Sequence, residues 1–212
     1  RRIGSMCAAR GVPVISDEIH CDLIDPGYEY TPFAAASEEC ARISVTCVAA
    51  SKAFNLAGLQ SAAVYAENER LFNVAVRGLN SDELAEPNTF AAIATAAAFS
   101  EGGEWLDELR AYLAENKRMA REYIAQNIPS VRPVLSRATY LMWLDVGDIT
   151  DDSRGLADFI RKNTGLYLSE GGQYRGNGNK FLRLNAGCPA SVLADGLNRL
   201  RLGIDAYSEK AE

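Results

Sequence analysis

A lysine and an aspartate, each following an apolar stretch of sequence, are the residues whose types and spacing could carry chemistry. Lys52 comes after the β-branched run 45–49, which predicts a buried strand that ends in a turn of small residues. Asp17 follows a second apolar run, 12–15. A lysine amine is a strong nucleophile only when it is neutral, and desolvation or a nearby cation lowers its pKa. Lys52 could therefore bind an aldehyde covalently, and Asp17 could supply a carboxylate.

The spacing of the two residues allows both to lie at one edge of a sheet. Asp17 and Lys52 are 35 positions apart, and a crossover between parallel strands needs only a dozen or more residues. Ligands of open α/β sheets gather beyond the carboxyl ends of the strands. Pyridoxal phosphate needs such a pair, because a lysine holds its aldehyde and a carboxylate keeps its pyridine nitrogen protonated. Taken alone, Lys52 also fits a solvated turn, and Asp17 fits the start of a turn.

Three segments resemble, in order, motifs of fold-type I pyridoxal-phosphate enzymes of the class I/II aminotransferase superfamily. These segments are 16–20 (SDEIH), 51–55 (SKAFN) and 181–189 (FLRLNAGCP). The similarity is greatest to the cystathionine β-lyase, or carbon–sulfur lyase, branch, and it extends from about Arg2 to Tyr207. It implies an α/β fold that comprises the C-terminal part of the three-layer large-domain sheet, followed by an α+β small C-terminal domain.

The resemblance implies roles for the residues of the first two motifs. Lys52 would hold the cofactor and move the α-proton of the substrate, and Asp17 would pair with the pyridinium nitrogen. His20 lies where aminotransferases commonly have a tyrosine facing the cofactor phenolate oxygen, and the lyase branch tends to have histidine there. Ser51 would donate to the cofactor phosphate. Without the resemblance, His20 is a loop histidine bonded to backbone and Ser51 is an ordinary turn residue.

Arg183 lies inside the apolar run 181–184, where an arginine must meet an anion or face solvent, because a buried unpaired charge is very costly. A guanidinium binds a carboxylate through two parallel hydrogen bonds. Arg183 could also lie on the solvent-exposed face of a strand in which apolar and polar residues alternate. The resemblance implies that Arg183 binds the substrate α-carboxylate and that Asn185 braces it. The glycine-rich segment 171–179 lacks the spacing of a phosphate-binding motif and predicts a flexible loop bordering the substrate.

The chain departs from the aminotransferase pattern at two positions. Ala49 stands where a serine often precedes the lysine, and Gln60 stands where an arginine often follows it, although the lyase branch also lacks that arginine. The glycine-rich phosphate loop and the aromatic residue that stacks on the cofactor ring have no counterpart here. We therefore expect the chain to be the C-terminal half of a longer enzyme and to be catalytically inert alone.

Periodicity predicts the elements that would position these residues. The apolar strands 12–16, 43–49 and 61–66 do not alternate, which suits a sheet covered on both faces. A helix is expected from about Glu67, and Asn88 is a candidate N-cap for an alanine-rich helix.

Beyond Gly102 and Gly103, which should break the alanine-rich helix, a long amphipathic helix is predicted with Trp105 and Tyr112 among its core residues. We accordingly divide the chain into three parts. These parts are a remainder of the cofactor-binding domain (1–80), an interdomain helix region (81–103) and the small C-terminal domain (104–212).

The composition of the chain limits the classes of partner that we expect it to bind. The chain has 22 basic and 28 acidic residues, a net charge of −6 and no basic block, so we expect neither nucleic acid nor an anionic membrane as a partner. No apolar run approaches the roughly 20 residues of a membrane span. Five cysteines without CxxC spacing and a single histidine predict reduced thiols, a cytoplasmic location and no metal site.

The resemblance implies an activity and an assembly. The expected enzyme is a pyridoxal-phosphate-dependent carbon–sulfur β-lyase. Its expected substrates are cystathionine- or cysteine-like amino acids, which yield a thiol, pyruvate and ammonia. An aminotransferase of amino acids is the alternative within the same family, and a homodimer is expected in either case. A third possibility is a non-enzymatic ligand-sensing domain of a regulator, since aminotransferase-like domains also occur fused to DNA-binding modules.

Overall fold

The computed structural model describes residues 1–211 and divides into two compact units. Unit 1 comprises residues 1–109, and unit 2 begins at Arg110. The division falls within one long helix, α6 (Gly103–Asn127). None of the described helices is long and apolar enough to cross a membrane. Within the same described residues, no group of three or more His, Cys, Asp or Glu side chains could hold a metal ion.

Unit 1 is built on a three-stranded sheet in the order β1-β2-β3, in which β1 and β2 are parallel and β3 is antiparallel to β2. The first two strands thus form the parallel pair that the spacing of Asp17 and Lys52 allows. β1 is an edge strand, and its Ile15 side chain is 76% exposed. The elements of unit 1 are α1 (Arg2–Ala8), β1 (Val14–Asp17), α2 (Glu38–Ile43), β2 (Ser44–Val48), α3 (Ala50–Ala53), β3 (Ala63–Tyr65), α4 (Glu69–Ser81), α5 (Thr89–Glu101) and the first part of α6.

Side-chain caps fix the starts of α4 and α5 in unit 1. Asn88 Oδ1 accepts hydrogen bonds from the backbone N–H groups of Phe90 and Ala91, each at 3.1 Å, so the predicted N-cap of α5 is confirmed. Asn68 caps α4 by accepting from Leu71 N at 3.2 Å. That bond explains why α4 starts two residues later than periodicity predicts, because a capping residue itself has non-helical dihedral angles.

Helix α1 packs against α2 through a glycine. Gly4 is buried, and a Cβ atom added there would overlap Cys40 Sγ. Overpacking of this kind costs about 1–3 kcal/mol. We therefore expect Gly4→Ala to lower the free energy of unfolding of the chain by that amount in a urea titration followed by circular dichroism.

Gly78 provides the matched control for this variant. It lies in α4, is exposed, and an added Cβ atom would have no neighbour within 4 Å. Gly78→Ala should raise the free energy of unfolding by about 0.5–1 kcal/mol, since alanine favours a helix more than glycine does. Equal effects of the two substitutions would contradict the close approach of α1 and α2.

Unit 2 contains a four-stranded antiparallel sheet in the order β4-β5-β7-β6. Its core packs one face of this sheet against helices, with Leu144, Ile160, Leu182 and Leu197 fully buried. The mixed helix and sheet content agrees with the predicted α/β fold class. The elements of unit 2 are the remainder of α6, β4 (Arg132–Pro133), β5 (Leu141–Asp145), α7 (Ser153–Thr164), β6 (Ser169–Glu170), β7 (Phe181–Asn185) and α8 (Ala190–Ala211).

The core-facing side of α6 differs from the prediction. Trp105 and Tyr112 are 47% and 44% exposed, so their assignment to the core is wrong. The residues of α6 that are buried include two polar ones, Asn116 and Lys117, together with Leu113, Ala120 and Ile124.

Candidate active site

The ends of β1 and β2 bring Asp17 and Lys52 to the same edge of the unit 1 sheet. Asp17 lies opposite Cys47 in the parallel register, and the ladder continues with Glu18 N donating to Cys47 O at 2.9 Å. β2 then leads into α3, which contains Lys52. The lysine is thus held in a short helix, where the sequence predicted an open turn of small residues. Both residues follow the carboxyl ends of their strands, where ligands of parallel sheets bind.

His20 lies within electrostatic reach of both residues. Burial lowers the pKa of the imidazole below 6.5, the positive charge of Lys52 lowers it further, and the negative charge of Asp17 acts in the opposite direction. Ile19 N donates to Asp17 Oδ1 at 3.2 Å, so the carboxylate is anchored by its own loop. Of the four residues of unit 1 predicted to bind the cofactor, Asp17 and Lys52 thus both lie within electrostatic reach of His20. Lys52 is the single lysine among residues 1–109.

The lowered pKa of His20 predicts how stability changes with pH. An unfolded chain protonates its histidine near pH 6.5, whereas the folded chain does so only at a lower pH. Between these two values the unfolded state binds more protons, so stability should fall as the pH drops from above 6.5 through the folded pKa. Urea midpoints measured from about pH 8 to about pH 5 should follow this trend. In His20→Gln the decline over that window should be smaller; an unchanged profile would contradict the lowered pKa.

Glu18 is a buried carboxylate that the sequence did not assign. It is 4% exposed, and its Oε1 accepts from Ser16 Oγ and from Phe33 N, both at 2.9 Å. Burial and the hydrogen-bonded Glu18 carboxylate raise the pKa of Tyr30 to about 12. Glu18 therefore ties the segment around Tyr30 and Phe33 to the end of β1, directly beside Asp17.

Arg183 occupies the middle of β7, a strand with neighbours on both sides in unit 2. It lies opposite Trp143 of β5 and Ser169 of β6, and it is half-buried. Its Nη2 donates to Ser169 Oγ at 3.2 Å, and its guanidinium carbon lies 5.3 Å from the centre of the Tyr174 ring. No carboxylate of a described residue forms an ion pair with it. The guanidinium of Arg183 is therefore available to an external anion.

The turn after β7 is fixed from two sides. Asn185 Oδ1 accepts from Gly187 N at 2.8 Å, so this side chain closes its own turn. The buried Asn116 of α6 donates from Nδ2 to Ala186 O and to Cys188 O, both at 2.9 Å. The sequence did not single out Asn116, and a role of Asn185 in bracing Arg183 stays a prediction.

The glycine-rich segment predicted to be a flexible loop is a packed turn. Gly171 and Gly178 approach so closely that a Cβ atom on either would overlap the carbonyl oxygen of the other. Glu170 caps the turn by accepting from Gln173 N at 3.0 Å. The side chain of Tyr174 projects from this turn towards Arg183.

Comparison with known proteins identifies the family. The family model for aminotransferase class I and II matches residues 1–200. The chain belongs to this family. It is 39% identical over 203 residues to cystathionine beta-lyase PatB of Bacillus subtilis, covering 96% of this chain and 52% of that protein. It is 32% identical to the MalY protein of Escherichia coli, covering 92% of this chain and 50% of that protein. The chain thus spans about half the length of the curated relatives it matches.

Solved structures of family members are similar to the chain over nearly its whole length. Cystalysin from Treponema denticola, which contains pyridoxal 5'-phosphate, superimposes with a TM-score of 0.89 at 28% identity, covering 97% of this chain and 52% of that one. The PLP-bound C–S lyase from Staphylococcus hominis in complex with L-cycloserine gives a TM-score of 0.86 at 30% identity, covering 95% of this chain and 49% of that one. These matches agree with the predicted fold and with pyridoxal phosphate as the cofactor of the family.

The residues of unit 1 fit the reactive part of this cofactor. Lys52 provides an amine and Asp17 a carboxylate at one sheet edge, and both act electrostatically on His20. A carboxylate that keeps one oxygen free of its backbone bond can pair with a protonated ring nitrogen. The donor set therefore suits the aldehyde and pyridine ends of pyridoxal phosphate.

Proposed function

We propose that this chain supplies the lysine, aspartate and arginine of a pyridoxal-phosphate-dependent carbon–sulfur β-lyase. The substrate would be a cystathionine- or cysteine-like amino acid, which takes up water and yields a thiol, pyruvate and ammonia. The observation that carries the proposal is the cluster of Asp17, His20 and Lys52 at the carboxyl edge of β1 and β2, in a chain 39% identical to a cystathionine β-lyase.

In this proposal each residue of unit 1 handles a proton or a charge. The cofactor, when bound, supplies the electron sink for carbanion chemistry. Lys52 Nζ binds the cofactor and takes the α-proton of the substrate, and the Asp17 carboxylate keeps a proton on the pyridine nitrogen. His20, kept neutral at physiological pH by its lowered pKa, offers one nitrogen as a donor to the phenolate oxygen.

The cofactor phosphate and the substrate carboxylate need further partners. Ser51 adjoins Lys52 in α3 and makes no side-chain hydrogen bond to a described residue, so its hydroxyl is available to the phosphate. Ala49 offers no side-chain donor and Gln60 no charge, so the phosphate must rely on groups beyond these. In unit 2, Arg183 binds the α-carboxylate of the substrate, and Asn185 braces the arginine.

A chimera tests this function directly. Residues 1–212 would replace the matching half of the Bacillus subtilis cystathionine β-lyase, so that the unmatched half of that relative completes the protein. The chimera, loaded with pyridoxal phosphate, should release pyruvate from cystathionine without an added keto acid. The visible absorbance of the bound cofactor serves as the control that the chimera has folded.

Two other outcomes would overturn the lyase assignment. A loaded chimera that converts glutamate only when a keto-acid acceptor is present would make the protein an aminotransferase. A chimera that binds cofactor and amino acid but turns over neither substrate would point to a ligand sensor.

The proposal includes a homodimer in the cytoplasm. All five cysteines are free, which agrees with a reducing compartment. Sedimentation of the chimera at micromolar concentration should give the mass of two chains, and a monomeric mass would contradict the dimer.

A further inference from the structure

The guanidinium of Arg183 is held by two neighbours that come from different segments of unit 2. Ser169, directly across from Arg183 on β6, accepts a hydrogen bond from Nη2 at 3.2 Å. Tyr174 places its ring against the guanidinium, with 5.3 Å between the guanidinium carbon and the ring centre. A cation over an aromatic face is attracted by the quadrupole of the ring. These two contacts restrain the plane of the guanidinium.

Tyr174 is itself fixed in place. Its ring meets Trp143 edge-on, with the ring centres 5.5 Å apart, and Trp143 stacks on Phe181 at 5.3 Å. The backbone that carries Tyr174 is the packed turn in which Gly171 and Gly178 touch. The half-exposed tyrosine ring is therefore held by its packed backbone and by the Trp143 ring, which itself stacks on Phe181.

The two contacts leave most of the guanidinium donors unused. A guanidinium has five N–H groups, and Ser169 accepts from one of the Arg183 nitrogens. Arginine loses considerable rotamer freedom when it binds a ligand, and a side chain already held in its bound orientation avoids part of that cost.

We propose that Tyr174 and Ser169 are positioning residues that orient the Arg183 guanidinium for binding a carboxylate. The inference rests on the proposed function, in which Arg183 binds the substrate carboxylate, and it assigns the ordering of that arginine to residues outside the family motif. Removing the Tyr174 ring should weaken carboxylate binding roughly 3- to 30-fold, the range expected for loss of a cation–π contact. Removing the Ser169 hydroxyl should weaken it by a smaller factor.

The test follows the Arg183 Nε–Hε resonance in ¹⁵N-labelled 212-residue chain by nuclear magnetic resonance. Acetate is the probe, and chloride replaces it at constant ionic strength in the reference titration. Tyr174→Ala should move the resonance towards that of exposed arginines, because the ring current is lost, and should weaken acetate binding. Tyr174→Phe keeps the ring and should retain both the resonance position and the affinity of the parent chain.

Tyr167 offers a matched control in the same unit. The Arg161 guanidinium carbon lies 5.2 Å from the Tyr167 ring centre, almost the same geometry as the pair under test. Tyr167→Ala should leave acetate binding at Arg183 unchanged. An equal loss in Tyr167→Ala and Tyr174→Ala would overturn the inference, since the effect would then be a general one.

The outcomes separate this inference from the function it rests on. If acetate fails to shift the Arg183 resonance in the parent chain, Arg183 does not bind carboxylate and its positioning by Tyr174 and Ser169 fails with it, whereas the lyase activity is decided by pyruvate release from the chimera. If acetate shifts it, and Tyr174→Ala binds acetate as tightly as the parent, only the positioning role fails.

Discussion

Lys52→Ala should abolish covalent capture of pyridoxal phosphate by the chimera. Lys52 is the single lysine among residues 1–109, so no other amine of unit 1 can take its place. The variant should lose the visible absorbance of the lysine-bound cofactor and all pyruvate release from cystathionine. Without the Lys52 amine, unit 1 would have no lysine to hold the cofactor aldehyde or to take the α-proton of the substrate.

Borohydride reduction followed by peptide mass spectrometry measures this effect. The cofactor mass should appear on the peptide that contains Lys52 in the parent chimera and on no peptide of residues 1–212 in the variant. Lys162→Ala, at an exposed position of α7, is the matched control and should leave both labelling and turnover intact. Labelling of another lysine in the parent would contradict the assignment.

Arg183→Ala should weaken substrate binding by about 2–5 kcal/mol, the range for removing one partner of a desolvated charge pair. Because Arg183 is half-buried, a value near the lower end is expected. The loss should appear as a raised KM for cystathionine in the chimera, with a smaller change in kcat.

Arg161→Ala is the control for this substitution, since Arg161 also packs over a tyrosine ring but lies on α7. Its KM should match that of the parent chimera. An unchanged KM in Arg183→Ala would remove the arginine from the substrate site.

Local signals made much of the fold predictable. Asn88 as an N-cap, Gly102 as a helix end and the strand that carries Arg183 are each determined within a few residues, and each is confirmed. The short helix α3 was missed because four residues carry too little periodicity. Trp105 was wrongly assigned to the core because the amphipathic pattern shows which residues share an apolar face but not what that face contacts. Its ring stacks on Phe54, with 5.8 Å between the ring centres.

In the candidate site, too, some residues could be predicted from the sequence and others could not. Lys52 and Asp17 could be predicted because each follows its own strand, and parallel strands end at one edge. The partners of Arg183 could not be predicted, because Ser169 and Tyr174 reach it through strand pairing and a packed turn. The buried Glu18 adjoins Asp17 in sequence, but its partner Phe33 lies 15 residues away, and no local pattern connects the two.

The edge strand β1 has a consequence for hydrogen exchange of the backbone. Along a strand, successive N–H groups point to opposite sides, and Glu18 N bonds to Cys47 O on the β2 side. The N–H of Ile15 therefore points away from β2, and Ile15 is 76% exposed. This amide should exchange with solvent far faster than that of Ser16, its neighbour in the ladder. Any chain that adds a strand along β1 will slow exchange at Ile15 and at Asp17, whose N–H groups point to the same side.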